Sequence, residues 1–267
     1  MSLRSVTLRR RGSMPRGFPF DVPVVRTLET IDLPTPVTFF VGENGSGKST
    51  LLEAMALAAE LPTIGSDESR DDVTLAAQRA LAKHLTLSWT SRSKRGLFLR
   101  AEDFFGYVKR LSRMKSEARA DIERIEREYE GRSDYAKGLA MGPALTSLSA
   151  IDGQYGGDLD GRSHGQSFLT LFQARFVPGG LHLLDEPEAP LSPQSQLGLI
   201  ALMQDMIGQE GQFIIATHSP ILLAFPGATI YSFDEAPPAR VAFADLEHVN
   251  LTRSFLNDPE AYLRRLS

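Results

Sequence analysis

One stretch limits the fold of this chain more than any other: the apolar run Val37–Val41, then Gly42-Glu43-Asn44-Gly45-Ser46-Gly47-Lys48-Ser49-Thr50, then a Leu- and Ala-rich segment that stops before Pro62. A short apolar run bounded by turn residues reads as a buried strand, and KSTLLEAMALAAEL reads as a largely buried helix. The residues between them fit G-x-x-x-x-G-K-[S/T], and they stand where that pattern has to stand, between strand and helix. Glycines at 42, 45 and 47 open backbone conformations closed to other residues and bring successive N–H groups around a phosphate chain. The start of the helix adds its positive end. Lys48 can reach the β- and γ-phosphates, Ser49 can ligate magnesium, and Thr50 is a further phosphate donor. Strand, spacing, lysine and hydroxyl agree, which a chance glycine turn would not provide.

Two more apolar runs, Leu181–Leu184 and Phe213–Ala216, repeat the strand-then-helix pattern, as in an α/β protein with buried parallel strands. The first delivers Asp185 and Glu186 at its carboxyl end, where α/β folds place ligands. Asp185 is expected to hold magnesium and Glu186 to orient and deprotonate an attacking water. Alone, such a pair is often only a turn or helix start, so it takes its weight from the phosphate loop. The second run ends in Ala216-Thr217-His218-Ser219-Pro220. There His218 is expected to contact the γ-phosphate, whereas His84, His164, His182 and His248 read as merely accommodated. Weaker β signals at Leu85–Trp89, Leu97–Leu99, Thr229–Phe233 and Val241–Phe243 are expected to complete the same sheet.

Gly161-Arg162-Ser163-His164-Gly165-Gln166-Ser167 leads into FLTLFQARF, whose apolar spacing is helical. Ser163 with Gln166 fits a capping box, and a capped helix start with a glycine is also a phosphate-binding device, so both readings stand. From Asp103 to Glu130 the chain is mixed in charge, with Leu111, Met114, Ala118, Ile122, Ile125 and Tyr129 on one stripe, an amphipathic helix that packs on the domain's own core. Residues 131–162, rich in Gly, Ser and Asp, are expected to be irregular, with a short helix around Pro143–Leu148. The organisation read from these features is an ATPase core at 1–102 and 161–267 interrupted by a helical insertion at 103–160.

With 267 residues, 42% hydrophobic and 23% charged, the chain can bury one substantial core plus that insertion. A formal charge of −4 does not favour polyanions, so nucleic acid is a possible partner that charge does not support. The lack of cysteine excludes disulfides, thiolate metal sites and cysteine nucleophiles. No window is long and apolar enough for a signal peptide or a membrane span, and a cytoplasmic location is expected. Arg9–Arg11 read as a solvated strand end.

Taken in order, the phosphate loop, the Ser163-His164-Gly165-Gln166 helix start, the Asp185-Glu186 strand and the strand-end His218 resemble the ATP-binding cassette superfamily over almost the full length. More narrowly, GENGSGKST, SHGQS, LLDEPEAPLSP and ATHSP look like the soluble bacterial AAA-family ATPases related to the RecF, SMC and OLD heads. The resemblance implies a P-loop NTPase with a mostly parallel central sheet, an antiparallel amino-terminal β element and a helical insertion. It also implies ATP and Mg2+ as ligands. Ser163, Gly165 and Gln166 would contact the γ-phosphate held by an opposite head, in a homodimer that forms with ATP as a clamp or switch. Three departures stand out. His164 replaces the first signature glycine of transporter cassettes, and Ser192 stands where many cassettes have an aspartate. The glutamine that ends a strand and meets magnesium has no clear counterpart, the nearest candidates being Arg100 and Glu102. Phe18 and Phe20 offer rings for an adenine but read as core. The alternatives are an ATP-binding subunit of a membrane transporter and a nucleotide sensor or scaffold with little turnover.

Overall fold

The computed structural model describes residues 3–10, 14–64, 75–92, 94–155 and 164–264. The chain runs β1 (Leu3–Leu8), α1 (Pro23–Thr27), β2 (Thr30–Asp32), β3 (Val37–Val41), α2 (Lys48–Ala58), β4 (Thr63–Ile64), α3 (Ala76–Ala82), β5 (Leu85–Trp89) and β6 (Gly96–Arg100). It continues through α4 (Ala101–Glu128), α5 (Asp134–Tyr155), α6 (His164–Arg175), β7 (Leu181–Asp185), α7 (Pro193–Gly208) and β8 (Gln212–Ala216). It closes with α8 (Pro220–Leu223), β9 (Thr229–Ser232), β10 (Ala239–Arg240), a 3-10 turn at Phe243–Asp245, α9 (Glu247–Asn257) and α10 (Pro259–Leu263).

The central sheet has seven strands in the order β10-β9-β3-β8-β7-β6-β4, parallel throughout except for the β9–β10 pair. Its three middle strands are buried at every position, as their mostly apolar runs in the sequence lead one to expect, and the polar Thr38, His182, Asp185 and Gln212 are buried with them. Alternate side chains still go to opposite faces. Phe40, Leu183, Ile214 and Ala216 face a core shared with α2, α1 and the second sheet. Phe39, Leu184, Phe213 and Ile215 face a core shared with α6, α7, α8 and α9. The result is a layered α/β architecture with the expected antiparallel amino-terminal element.

That second sheet is antiparallel, in the order β2-β1-β5. The segment Leu85–Trp89 therefore joins it rather than the central sheet. The reason lies in its pattern: Leu85, Leu87 and Trp89 alternate with polar residues and pack on one side only, the mark of a half-solvated strand. A buried glutamine welds the two sheets. Gln212 at the start of β8 accepts from Leu3 N–H and donates to Leu3 C=O, both at 2.8 Å, imitating a ladder pair. Val241–Phe243 does not form a strand either. The edge strand is Ala239–Arg240, and the ladder ends where Val241 N–H reaches Ile230 C=O.

The inserted segment differs from its sequence reading in extent. Residues expected to be irregular form the 22-residue helix α5, which packs back along the 28-residue α4 and carries Pro143 in its interior. Its glycines and proline argue against a helix locally, but tertiary packing on α4 outweighs weak propensity. The buried stripe of α4 also runs slightly off the expected line: Lys115 and Ala118 are buried, whereas Met114 is 45% exposed. Among the described residues no helix is long and apolar enough to cross a membrane.

Candidate functional site

The site assembles at the carboxyl ends of β3, β7 and β8, because parallel register brings those ends to one edge of the sheet. After β3 the chain turns through Gly42 and Gly47 at φ 144° and 101°, values that side chains rarely adopt. Gly47 has a second constraint, since a Cβ there would lie 2.8 Å from Val22 Cγ1. Lys48, only 4% exposed, opens α2 and donates from Nζ to Gly42 O at 2.6 Å and Glu43 O at 2.9 Å, so its ammonium lies across the inside of the loop. Burial lowers its pKa, with Glu186 and Asp185 the leading opposing charges. Glu43, Asn44 and Gly45 form the exposed shoulder; Ser46 Oγ is buried without a partner.

Ser49, one residue into α2, donates from Oγ to Asp185 Oδ1 at 3.0 Å, although 136 residues separate them. Thr50 follows in the same turn. Asp185 is 6% exposed; burial, the leading cause, pushes its carboxyl up to about 7, against the Ser49 hydrogen bond and the charge of Arg100. A hydroxyl and a carboxylate held together at the strand ends suit a hard divalent cation. Among the described residues no group of three acidic or histidine side chains encloses a metal. One hydroxyl and one carboxylate would fit Mg2+, which commonly takes one or two protein oxygens and draws the rest from phosphate and water.

Glu186 follows with φ 49°, a left-handed conformation uncommon outside glycine, and its N–H donates to Ala216 O at 2.8 Å. Such strain gathers at functional positions, where the surroundings over-determine it. His218 leaves β8 two residues past Ala216, the register partner of Asp185, and its Nε2 stands 4.0 Å from Glu186 Oε1. Burial lowers the His218 pKa, and the Lys48 charge lowers it further. The structure thus gathers Lys48, Ser49, Asp185, Glu186 and His218 in one place. Ser163 lies outside the described residues, and Gly165 and Gln166 fall in the first turn of α6.

The two phenylalanines separate. Phe20 is buried, edge-on to His84 at 5.3 Å, while Phe18 is 61% exposed, so the reading of both as core holds for one. Arg100 and Glu102, the candidates for the missing strand-end glutamine, differ too. Arg100 is in register with Asp185, with Nε 3.8 Å from its carboxylate and Nη1 2.9 Å from Glu53 Oε1, whereas Glu102 meets Arg100 alone at 3.3 Å. Ser192, in the place of the usual aspartate, caps α7: its Oγ accepts from Ser195 N–H at 3.2 Å, and Pro193 takes the first helical position. Sequence reasoning missed Asp234, whose Oδ1 accepts from Glu43 N–H at 2.8 Å, and Glu188, whose Oε1 accepts from His218 N–H at 2.7 Å. Asp234 had no signal. Glu188 had one, being the second acid of Glu186-Pro187-Glu188.

Residues 20–139 match the AAA domain family. No curated protein matches the sequence. Among solved structures, the chain is similar to a nucleotide-free ATP-binding cassette from an ABC transporter, at 17% identity over 98% of this chain and 99% of that one, TM-score 0.45. It is also similar to the SMC head domain from Thermotoga maritima, at 14% identity over 90% and 98%, TM-score 0.41. A third is the Smc head domain with an extended coiled coil bound to the C-terminal domain of ScpA from Pyrococcus furiosus, at 11% identity over 97% and 100%, TM-score 0.45. At such identities and TM-scores these likenesses say nothing about what the chain does.

Proposed function

We propose that this chain is a P-loop ATPase of the ABC type, which binds ATP with Mg2+ at Gly42–Thr50 and hydrolyses its terminal phosphoanhydride. The observation that carries the reading is the Ser49–Asp185 hydrogen bond of 3.0 Å, which ties the phosphate loop to the acidic strand, with Glu186 and His218 beside it. In this reading the backbone N–H groups of Gly45–Ser49 and the Lys48 ammonium bind the phosphates, and Ser49 and Asp185 hold the metal. Bound Mg2+ would neutralise phosphate charge. Glu186 accepts the proton of the attacking water, and His218 orients that water through the partnerless Nε2.

Glu186→Gln tests the assignment. It is expected to keep nucleotide binding, because phosphate loop and metal ligands survive, and to lose turnover by at least about 100-fold, the lower range for a positioned general base. Lys48→Ala is expected to lose binding of a fluorescent ATP analogue. Normal hydrolysis by the first variant, or normal affinity in the second, would refute the reading.

The finer part of the proposal is an ATP-dependent homodimer acting as a clamp or switch, with Ser163, Gly165 and Gln166 completing the site of the opposite copy. The position of Gly165 and Gln166 in the first turn of α6 supports it. Light scattering of the Glu186→Gln protein with Mg-ATP should give a dimer, and Ser163→Arg added to it should give a monomer. A monomer in both cases, with ATP demonstrably bound, would favour a nucleotide sensor.

A further inference from the structure

The turn after β7 and the turn after β8 are laced together twice. Glu186 N–H donates to Ala216 O at 2.8 Å, and in the other direction His218 N–H donates to Glu188 Oε1 at 2.7 Å. The first link is backbone alone, whereas the second depends on one side chain reaching across 30 residues of sequence. Burial, the leading cause, raises the Glu188 pKa against the hydrogen bonding that lowers it. Thr217 is fully buried, and its Oγ1 accepts from Ser219 N–H at 3.0 Å, so the whole exit from β8 is pinned up to the cap of α8.

His218 itself has little else to hold it. The last paired residue of β8 is Ala216, Thr217 N–H still donates to Phe40 O at 3.1 Å, α8 does not begin until Pro220, and His218 Nε2 is buried without a hydrogen-bond partner among the described residues. Its position 4.0 Å from Glu186 therefore depends on the main chain that carries it. We propose that Glu188 is a positioning residue for His218: its carboxylate fixes the His218 main chain, the first residue past the β3–β8 bonds, and so sets the distance between His218 and Glu186.

This inference rests on the ATPase reading of the site and assigns a role to a residue that reading leaves unused. The chemistry of the carboxylate also defines its substitutes. Oε1 makes the bond to His218, while Oε2 is buried with no partner. The amide oxygen of a glutamine can still accept from His218 N–H, so Glu188→Gln should preserve the link that Glu188→Ala removes.

The test has two readouts. Loss of a hydrogen bond to a charged acceptor, expressed only in turnover, predicts a fall in kcat of about 10- to 100-fold in Glu188→Ala, with nucleotide affinity within about threefold of wild type. Glu188→Gln should stay near wild type. In a His218→Ala background, Glu188→Ala should cause no further loss, because a residue acting through His218 has nothing left to position. The second readout needs no hydrolysis. The protein has five histidines, and the imidazole NMR signal absent from His218→Ala should shift in Glu188→Ala and stay in place in Glu188→Gln. Undiminished turnover in Glu188→Ala, an equal loss in the His218→Ala background, or an unmoved His218 signal would each overturn the inference. A wild-type protein without hydrolysis would sink the ATPase reading instead, and the imidazole spectrum would still decide the role of Glu188.

Discussion

Replacing Arg100 by methionine tests the electrostatics beneath the site. Arg100 joins Glu53, whose side chain is 5% exposed, at 2.9 Å, and stands 3.8 Å from Asp185. At an effective dielectric constant of about 20, a pair at that shorter distance attracts by roughly 6 kcal/mol, most of it cancelled by the cost of desolvating both ions. What the variant loses is set by the carboxylate left behind. An uncompensated buried Glu53 takes up a proton, so its cost at pH 7 is bounded by the proton's free energy, about 1.4 kcal/mol per pH unit above the ordinary glutamate value of 4.5. The bound is about 3.4 kcal/mol at pH 7 and about 0.7 kcal/mol at pH 5. Because the Arg100 side chain is 28% exposed and water can partly replace it, about 2 kcal/mol is expected at pH 7.

The sign follows from linkage. Burial, the leading cause, raises Glu53, and without Arg100 the hydrogen bond to Gln78 is left to oppose it, so the folded variant binds more protons than the unfolded chain and loses stability as pH rises from 5 to 7. Urea unfolding of wild type, Arg100→Met, Glu53→Gln and the double variant at both pH values measures this. The double variant should recover most of the loss, since neither partner is then left charged and alone. A penalty equal at pH 5 and pH 7, or no recovery in the double variant, would refute the reasoning.

Gly47→Ala should abolish nucleotide binding and destabilise the fold by about 1–3 kcal/mol, through φ 101° and the 2.8 Å approach of a Cβ to Val22; fluorescent-nucleotide titration and thermal melting measure both, and a variant that binds normally refutes the loop geometry. His182 donates from Nε2 to Val177 O at 3.3 Å and has no partner at the buried Nδ1, and burial takes its pKa from 6.5 to about 4. The unfolded chain therefore binds a proton that the native state refuses, and stability should fall by up to about 3 kcal/mol between pH 6.5 and pH 4. His182→Leu should flatten that slope in urea titrations, and an unchanged slope would show that other groups drive the acid instability.

What the sequence determined by itself was whatever depends on neighbours along the chain. The runs Val37–Val41, Leu181–Leu184 and Phe213–Ala216 are buried strands because short, mostly apolar runs bounded by turn residues leave few other options. The loop Gly42–Ser49 declares itself because its glycines, lysine and hydroxyl act through adjacent backbone. The Asp185-Glu186 pair and His218 were legible as strand ends. Tertiary structure decided everything that depends on register between distant segments. Parallel pairing of β6 with β7 sets Arg100 against Asp185, and the crossing of two turns brings Glu188 under His218. The sheet that Leu85–Trp89 joins and the helix formed by Asp134–Tyr155 were decided the same way. The partner there is a strand or helix far away in sequence, and local propensity carries no information about which face it will cover.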